Sequence, residues 1–336
     1  FYAFVQCFVR KCAQSLYGAG GIFCYNRGGG DKMELLLQRD IRLCAGGYAA
    51  EFSSARGGGC ERLFHEPTRT QLLRTAQTQA QLRENVFLWG DPVLFPPNRI
   101  RGGSFFFQGR TYAFPVNEPS TGSHLHGALY GMPFSVERVS SNSVTFAYRA
   151  QAGEYLGFPH AFTLERTYTL GADGLAQEVR IRNRSPQDMP CMLAFHTTFL
   201  TPDEKTRLKL QVGREQLRNG HFLPTGEYGR SARAEQICKG EYCVGEEHLS
   251  ALYEGSGTAL LVSEARGIAI AYEASGAFGY RMLYAPRGAG YICIEPQTCP
   301  IDCYHADPEG AAQGKYALAA GEEARFFTRI SLKELR

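Results

Sequence analysis

The chain has 336 residues, of which 44% are hydrophobic, 12% aromatic and 21% charged. This composition is typical of a globular protein and excludes a disordered or collagen-like chain. The formal net charge is +3, and four basic residues against one acidic residue in positions 1–32 account for it. The rest of the chain is therefore neutral, without the basic surface of a nucleic-acid-binding protein. It also contains no uninterrupted apolar run of about 18 residues, as a membrane-spanning helix requires. We expect neither nucleic acid nor a membrane as a partner.

Residues 1–32 are expected to lie outside the fold. Their charges follow the apolar stretch instead of preceding it, which is the wrong order for a secretory signal peptide. The segment lacks an initiator Met, whereas Met33 opens "MELLLQRD". We predict an N-terminal extension over residues 1–32 and one domain over residues 33–336.

Beyond Met33 the sequence predicts short strands separated by turns. One stretch, residues 69–86, has a composition that favours a helix. Hairpins are predicted where two alternating runs meet a turn, at Gln108 and Gly109, at "GADG" (171–174), and at Arg266 and Gly267.

Several of these runs alternate apolar and polar side chains, which is typical of strands with one buried face. In the run 162–170, Arg166 is the one charged residue on the apolar face. Because such runs recur without a linker between them, we predict an all-β fold, a large β-sandwich in a single domain. The apolar positions of these faces are Val144, Phe146, Tyr148, Phe162, Leu164, Tyr168, Leu170, Val179, Ile181, Leu208, Leu210 and Val212.

The chain contains 11 cysteines, an odd number without the dense spacing of a small disulfide scaffold. We expect free thiols in a reducing compartment, and hence a cytoplasmic protein. Two pairs, Cys299 with Cys303 and Cys238 with Cys243, raise the question of a zinc site. Neither pair has the two-residue gap of a zinc knuckle, so we expect no metal.

Four segments place ionisable or amide side chains among turn-forming or aromatic residues. Taken singly, each has a structural explanation: a lone His on an apolar strand is commonly a hydrogen-bonded core residue, and an Arg pairs readily with a surface carboxylate. Two histidines that alternate on a strand share a face, yet two ligands are too few to indicate a metal. The segments are "LFPPNRIRGG" with Asn98 and Arg99, "NEPSTGSHLHGALYG" with His124 and His126, "MPCMLAFHTTFL" with His196, and "ICIEPQTCPIDC" with Glu295.

In this order, the segments resemble the aldose 1-epimerase, or galactose mutarotase, family. The resemblance extends over residues 35–333 and implies a galactose mutarotase-like β-supersandwich with a sugar site on one face. The matching stretches are "GDPVLFPPNRIRGGSFFFQGRTYAFPVNEPSTGSHLHGALYG" (90–131), "RNRSPQDMPCMLAFHTTF" (182–199), "FLPTGEY" (222–228) and "YICIEPQTCPIDCYH" (291–305).

The resemblance also implies residue roles. Glu295, in the "EPQT" segment, corresponds to the catalytic base, and His196 corresponds to the acid. His126, which precedes Gly in "LHG", contacts the sugar and supports catalysis. Arg99 of "NRI" holds sugar hydroxyls, and we place Asn98 and His124 beside it as substrate-binding residues.

The chemistry of mutarotation requires this set of residue types. A base removes the proton of the anomeric hydroxyl while an acid protonates the ring oxygen, so the ring opens. C1 then rotates, and the ring closes on the other face. No metal, nucleotide or covalent nucleophile is needed, so no cofactor is expected, and the sequence contains no P-loop, dinucleotide fingerprint or G-x-S-x-G motif. We expect an ionised Glu295 and a protonated His196, each favouring the charge of the other.

The sequence departs from the family in two places. Many relatives carry a sugar-binding aspartate some ten residues beyond the "PTGE" turn, where this chain has no Asp but offers Glu235, Glu241, Glu246 and Glu247. Thr197 and Thr198 follow His196, where an aromatic residue often precedes the Phe. Asp302 matches a position that is commonly acidic, and we expect it to be a structural hydrogen-bond acceptor.

Two other functions remain open from the sequence. A hexose 6-phosphate 1-epimerase would need a cationic clamp, for which Arg99, Arg101 and Arg110 are available. A non-catalytic carbohydrate-binding module on the same scaffold would not need an acid and a base together. Glycoside cleavage is less favoured, because it normally requires two carboxylates and the motifs of this sequence place one, that of Glu295.

The expected partner is a small sugar, and the expected assembly is a monomer or homodimer.

Overall fold

A computed structural model describes residues 37–335, so the predicted extension over residues 1–32 lies outside the described residues. The described residues are mostly strands with a few short helices, which confirms the all-β, single-domain prediction. Every pair of neighbouring named strands within this range is antiparallel, as expected for strands joined by short turns.

Two large sheets form the body of the protein. The first has nine strands, in the order Ser135–Val139, Ser143–Ala150, Phe162–Gly171, Gly174–Asn183, Glu323–Glu334, Ile268–Ala274, Ala259–Ser263, Arg207–Lys209 and Tyr242–Cys243. The second has eight strands, in the order Pro224–Gly229, Glu215–Arg218, Leu249–Glu254, Tyr280–Ala285, Tyr291–Gln297, Ala194–Phe195 and Val93–Leu94, with Thr197–Leu200 also paired to Tyr291–Gln297.

Smaller sheets complete the fold. A four-stranded sheet contains Ile41–Ala45, Tyr48–Ser53, Gly59–His65 and Thr70–Gln71. Three two-stranded ribbons pair Arg99–Arg101 with Ser123–Leu125, Ser104–Phe107 with Arg110–Ala113, and Met189–Pro190 with Ala317–Leu318.

The helices within residues 37–335 are all short. They are the α-helices Gln79–Glu84, Ala232–Lys239, Cys303–Ala306 and Pro308–Ala312 and the 3₁₀ turns Val86–Leu88 and Leu129–Gly131. Within residues 37–335, no helix has the length and apolar character needed to cross a bilayer.

The helix predicted over residues 69–86 exists but is much shorter. It begins after Thr78, whose side chain accepts from the backbone N–H of Gln81 while the Gln81 side chain caps in return. The preceding Leu72 and Leu73 are buried by pairing with other strands, Leu72 through a hydrogen bond to Leu63 and Leu73 through a bridge to Phe199. Tertiary pairing therefore overrides helix propensity in the first half of the stretch.

The three predicted hairpins are confirmed. Their closing pairs are Phe107 with Arg110, Gly171 with Gly174, and Ser263 with Ile268. In the first hairpin, Gln108 and Gly109 have φ of 45° and 77°, the two positive values that a type I′ turn requires.

The main hydrophobic core is built from the inner faces of both large sheets, and two small apolar clusters lie apart from it. Arg166, the charged exception in its strand, is fully buried on the core face. Its Nη2 donates to Oδ2 of Asp91 at 2.7 Å, and the hydroxyl of Tyr168 donates to the same oxygen at 3.1 Å. The other oxygen of Asp91 accepts from Oγ1 of Thr197 at 2.9 Å. Since Arg166 belongs to the nine-stranded sheet and Thr197 to the eight-stranded sheet, Asp91 ties the two sheets together.

We expect Asp91→Asn to destabilise the protein strongly, because it leaves the buried guanidinium of Arg166 without a compensating charge. Removing one partner of a buried ion pair typically costs about 3–5 kcal/mol. Denaturant unfolding measures the loss. The matched control is Glu178→Gln, which changes a surface pair with Arg180 at 2.6 Å and is expected to cost less than about 1 kcal/mol. Equal losses in the two variants would contradict a special role for the Asp91 pair.

Candidate active site

The strand Tyr291–Gln297 carries Glu295 in a fully buried run. Its neighbours are two short strands, Ala194–Phe195 and Thr197–Leu200, which are separated by a single residue, His196. The register pairs Ala194 with Gln297 and Thr197 with Ile294, so His196 lies directly opposite Glu295. Directly opposite residues point to the same face of a sheet, so this register explains why the two side chains meet.

Nε2 of His196 lies 3.2 Å from Oε1 of Glu295, and the two side chains are 9% and 2% exposed. The other carboxyl oxygen of Glu295 accepts from Nε2 of Gln297 at 3.2 Å. Gln297 in turn accepts at Oε1 from Nδ2 of Asn98 at 3.4 Å. A chain of hydrogen bonds therefore fixes the carboxyl group of Glu295 through Oε2 and leaves Oε1 in contact with His196.

His126 and Asn98 hold each other through two reciprocal contacts. The backbone N–H of Asn98 donates to Nδ1 of His126 at 3.1 Å, and the backbone N–H of His126 donates to the carbonyl of Asn98 at 3.0 Å. Both residues have positive φ, 56° and 66°, which is unusual for non-glycine residues and common at functional sites. Because Nδ1 accepts, the proton of the neutral ring lies on Nε2.

The glycine that follows His126 is required by its surroundings. Gly127 has φ of 65°, and a Cβ at this position would lie 2.0 Å from the carbonyl oxygen of Phe95. Larger residues are therefore excluded by the backbone itself. This contact gives the "LHG" motif a steric explanation.

Phe87, in the 3₁₀ turn Val86–Leu88, packs against both histidines. The ring centroid of Phe87 is 4.6 Å from that of His126 and 5.8 Å from that of His196. The two imidazoles meet edge to face at 5.6 Å. Phe87 thus fixes the relative orientation of two rings that come from distant parts of the chain.

The pKa shifts of the central pair have a common cause. Burial raises the pKa of Glu295 to about 8, although hydrogen bonding from Gln297 and the charges of Arg218 and Arg99 oppose the rise. Burial lowers the pKa of His196 to about 4. Burial and the neighbouring His196, Arg99 and His124 hold the pKa of His126 well below its usual range. These directions are the opposite of what mutual charge stabilisation predicts for Glu295 and His196, because desolvation disfavours both charged forms.

Arg99 is held by a carboxylate. Its guanidinium donates to both oxygens of Glu118, at 2.6 Å and 2.7 Å, and lies 4.9 Å from the ring centroid of Phe222. Burial opposes ionisation of Glu118, but the hydrogen bonds from Arg99 and Thr121 lower its pKa. The charge of Arg99 still reaches Glu295 and His126.

His124 is engaged elsewhere. Its Nδ1 lies 2.8 Å from the carbonyl oxygen of Pro115, and its Nε2 accepts from the backbone N–H of Gly127 at 3.2 Å. Both ring nitrogens are occupied and the residue is 1% exposed. These contacts give His124 a structural part in the loop and offer nothing to support its predicted role in substrate binding.

Asp302 has the contacts expected of a structural acceptor. Its Oδ1 accepts from the backbone N–H of Arg101 at 3.1 Å and lies 2.7 Å from Nδ1 of His305. Its own N–H donates to the carbonyl of Arg99 at 3.1 Å. Asp302 thus fixes the strand that carries Arg99.

The segment that lacks the family aspartate forms the helix Ala232–Lys239 and the turn after it. All four glutamates available there, Glu235, Glu241, Glu246 and Glu247, are exposed. Within residues 37–335, no group of three or more His, Cys, Asp or Glu residues is placed to hold a metal ion, and the eight cysteines in this range are free.

The structure brings together Glu295, His196, His126, Asn98 and Arg99, and their roles stay predictions. It adds residues that sequence reasoning missed. Gln297 lies inside the "EPQT" motif and could have been identified from it. Phe87, Arg218 and Phe222 have no sequence pattern around them that points to a functional site.

We expect Glu295→Gln to stabilise the protein increasingly between pH 5 and pH 8. The folded pKa of Glu295, about 8, exceeds its ordinary value of 4.5. As pH rises between these values, the unfolded state loses the proton while the folded state retains it, so the folded wild type loses stability and the Gln variant does not. Thermal unfolding at several pH values in this range measures the difference in stability between wild type and Glu295→Gln. Glu178→Gln serves as the control, and a gap for Glu295→Gln that does not change with pH would contradict the raised pKa.

Comparisons with known proteins identify the family and the fold. A family model described as aldose 1-epimerase matches residues 41–331. Among curated proteins, the chain is 26% identical to the uncharacterised protein YihR of Escherichia coli K12 over 197 residues, which are 55% of this chain and 59% of YihR. It is 25% identical over 240 residues to the uncharacterised protein YphB of the same organism, covering 69% of this chain and 79% of YphB. The chain therefore spans less than two thirds of the length of YihR.

Solved structures show the same fold. A galactose mutarotase-like protein from Clostridium acetobutylicum superposes with a TM-score of 0.82 at 23% identity, covering 90% of this chain and 100% of that one. A galactose 1-epimerase from Lactobacillus acidophilus NCFM superposes with a TM-score of 0.67 at 15% identity, covering 87% and 92%. At these identities the structural likeness establishes the fold, and the family model covers most of the sequence. The chain belongs to the aldose 1-epimerase family.

Proposed function

We propose that this protein is an aldose 1-epimerase that interconverts the α and β anomers of a free hexose. The observation that carries the proposal is the buried contact of 3.2 Å between Nε2 of His196 and Oε1 of Glu295. Family membership supports chemistry on a carbohydrate, and an acid and a base in contact are what ring opening requires.

In the proposed reaction, the carboxylate of Glu295 accepts the proton of the C1 hydroxyl while the imidazolium of His196 donates a proton to the ring oxygen. The bond between C1 and the ring oxygen breaks, and the C1–O1 bond becomes an aldehyde double bond. Rotation about C1–C2 exposes the other face of the aldehyde. The ring hydroxyl then attacks C1, His196 takes back its proton, and Glu295 returns its proton to O1.

The pKa shifts are compatible with this cycle. An ionised Glu295 with a protonated His196 carries one proton in total, and so does a protonated Glu295 with a neutral His196. Burial favours the second arrangement, and this arrangement is the one that the mechanism assigns to the open-chain intermediate. The two arrangements differ by one proton transfer across the pair, so the site needs no outside acid or base.

His126 and Arg99 bind the sugar and take no part in the proton transfers. A neutral His126 with its proton on Nε2 donates a hydrogen bond and does not compete with His196 as an acid. Arg99, fixed by Glu118, presents a guanidinium whose planar geometry suits neighbouring oxygens. These roles follow from the family resemblance and from the contacts described above.

We expect Glu295→Gln and His196→Asn each to reduce kcat/KM for the mutarotation of freshly dissolved α-D-glucose or α-D-galactose by about 10²–10⁴-fold. Polarimetry against a buffer blank measures the rate, because aldoses also mutarotate spontaneously. Glu254→Gln and His248→Asn are the matched controls, since Glu254 pairs with Arg214 on the surface and His248 is exposed. Wild-type rates in either active-site variant would contradict the assignment.

The pH dependence of kcat/KM is expected to be bell-shaped. The active pair carries one proton, so activity falls below a pKa near that of His196, about 4, and above a pKa near that of Glu295, about 8. At the acid limit both groups are protonated and the base is lost, whereas at the alkaline limit both are deprotonated and the acid is lost. An enzymatic rate that continues to rise up to pH 9, after subtraction of the blank, would contradict this scheme.

The three arginines that the sequence offers as a phosphate clamp, Arg99, Arg101 and Arg110, give the hexose 6-phosphate alternative little support. Arg99 is engaged by Glu118, and Arg101 pairs with Asp302 at 3.4 Å while its side chain is 54% exposed. Arg110 lies on the hairpin beyond Gly109 and is exposed. The same polarimetric comparison with glucose 6-phosphate decides between the two substrates.

A further inference from the structure

Arg218, at the end of the strand Glu215–Arg218, has a donor without an acceptor in the part of the chain that the structure describes. Its Nη2 donates to the carbonyl oxygen of Ser250 and to Oγ of Ser250, the latter at 3.3 Å. Its Nη1 is buried, and no residue in the range 37–335 accepts a hydrogen bond from it. A buried charged donor without an acceptor costs free energy, so such an atom needs an explanation.

Phe222 lies beside this guanidinium in an unusual state. The side chain is 45% exposed, and the backbone has φ of 60°. The turn is fixed by Asn219, whose Oδ1 accepts from the backbone N–H groups of His221 and Leu223 at 2.9 Å and 3.2 Å. An exposed aromatic ring held in a strained but well-determined turn is a feature of binding sites.

Two guanidinium groups flank the ring of Phe222, and they differ in their electrostatic surroundings. Arg99 lies 4.9 Å and Arg218 5.7 Å from the ring centroid. Arg99 is neutralised by its two contacts to Glu118. Within residues 37–335 Arg218 forms no ion pair, although the charges of Glu215 and Glu295 act on it. Arg218 therefore shares the ring of Phe222 with Arg99 but, unlike Arg99, keeps a buried donor without a carboxylate partner.

We propose that Arg218 is a substrate-binding residue that donates from Nη1 to an oxygen of the sugar, and that Phe222 provides the adjoining apolar face. The proposal rests on the proposed function for its ligand class, and it concerns recognition of the sugar and not proton transfer.

The proposed contact has the opposite polarity to the contact that the missing aspartate would make. A carboxylate would accept protons from sugar hydroxyls, whereas a guanidinium donates to their lone pairs. A hydroxyl group is both a donor and an acceptor, so either residue satisfies it. The specificity of this protein should then depend on a hydroxyl that presents a lone pair to Arg218, which a deoxy sugar lacks.

The test compares wild type with Arg218→Met and Arg218→Lys, with Arg214→Met as the control for loss of one positive charge near the start of the same strand. Arg214 is exposed, pairs with the half-buried Glu254 and leaves no orphaned donor. Mutarotation is followed for D-glucose and for its 3-, 4- and 6-deoxy analogues. Binding of the corresponding methyl β-glucosides is measured by NMR titration, because these glycosides cannot open and so report recognition without catalysis.

We expect Arg218→Met to lower kcat/KM for glucose by about 10- to 100-fold, mostly through KM, as for the loss of a charged hydrogen bond that is also made in the ground state. In wild type, one deoxy analogue should show a similar loss, and Arg218→Met should no longer distinguish this analogue from glucose. Arg218→Lys keeps the positive charge that acts on Glu295, so the alkaline pKa of its pH profile should be retained. It lacks the two-pronged donor geometry of a guanidinium, so it should still fail to distinguish glucose from the deoxy analogue.

The proposal is overturned if Arg218→Met discriminates among the deoxy sugars as wild type does, or if wild type and Arg218→Met bind every glucoside equally. Unchanged thermal unfolding of Arg218→Lys excludes a folding defect as the cause of any loss. If no aldose is turned over but glucoside binding depends on Arg218, the proposed function fails while the assignment of Arg218 stands.

Discussion

The ion pair between Asp91 and Arg166 is the interaction on which the arrangement of the site depends. The carboxylate of Asp91 receives donors from both large sheets, and one of them, Thr197, is the residue next to His196. The backbone N–H of His196 also donates to the carbonyl of Pro92 at 2.9 Å, so the chain on either side of Asp91 holds the strand break that contains His196. A buried charge thus fixes the sheet separation and the position of the candidate acid in one network.

The sequence predicted the architecture well because its main determinant is local. Period-two alternation and two-residue turns identify antiparallel strands without knowledge of their partners, and even Arg166 fell on the core face that the alternation assigned to it. The helix over residues 69–86 was overestimated because composition does not reveal that Leu72 and Leu73 pair with strands. Glu295, His196 and His126 could be named as candidates because they lie in segments whose sequence resembles the family.

Other parts of the site could not be predicted from the sequence, since they depend on contacts between distant segments. Phe87 contacts His196, Arg218 contacts Ser250 and Phe222 contacts Arg99, and each of these pairs is more than 30 positions apart in the sequence. The pKa shifts of the central pair also could not be predicted, because a sequence does not reveal how deeply two ionisable groups are buried. His124 resembled His126 in its local context, and only the hydrogen bonds of its two nitrogens separate their roles.

The small exposure of the central pair has a consequence for how the site works with solvent. Under the proposed mechanism each turnover begins and ends with the same proton count on Glu295 and His196, and the sugar leaves with as many protons as it brought. Bulk water is then needed neither as a proton source nor as a proton sink, so the pair can remain 2% and 9% exposed without slowing the reaction. Such a site catalyses the conversion of α to β and of β to α by the same steps, and the final ratio of the anomers is determined by the sugar alone.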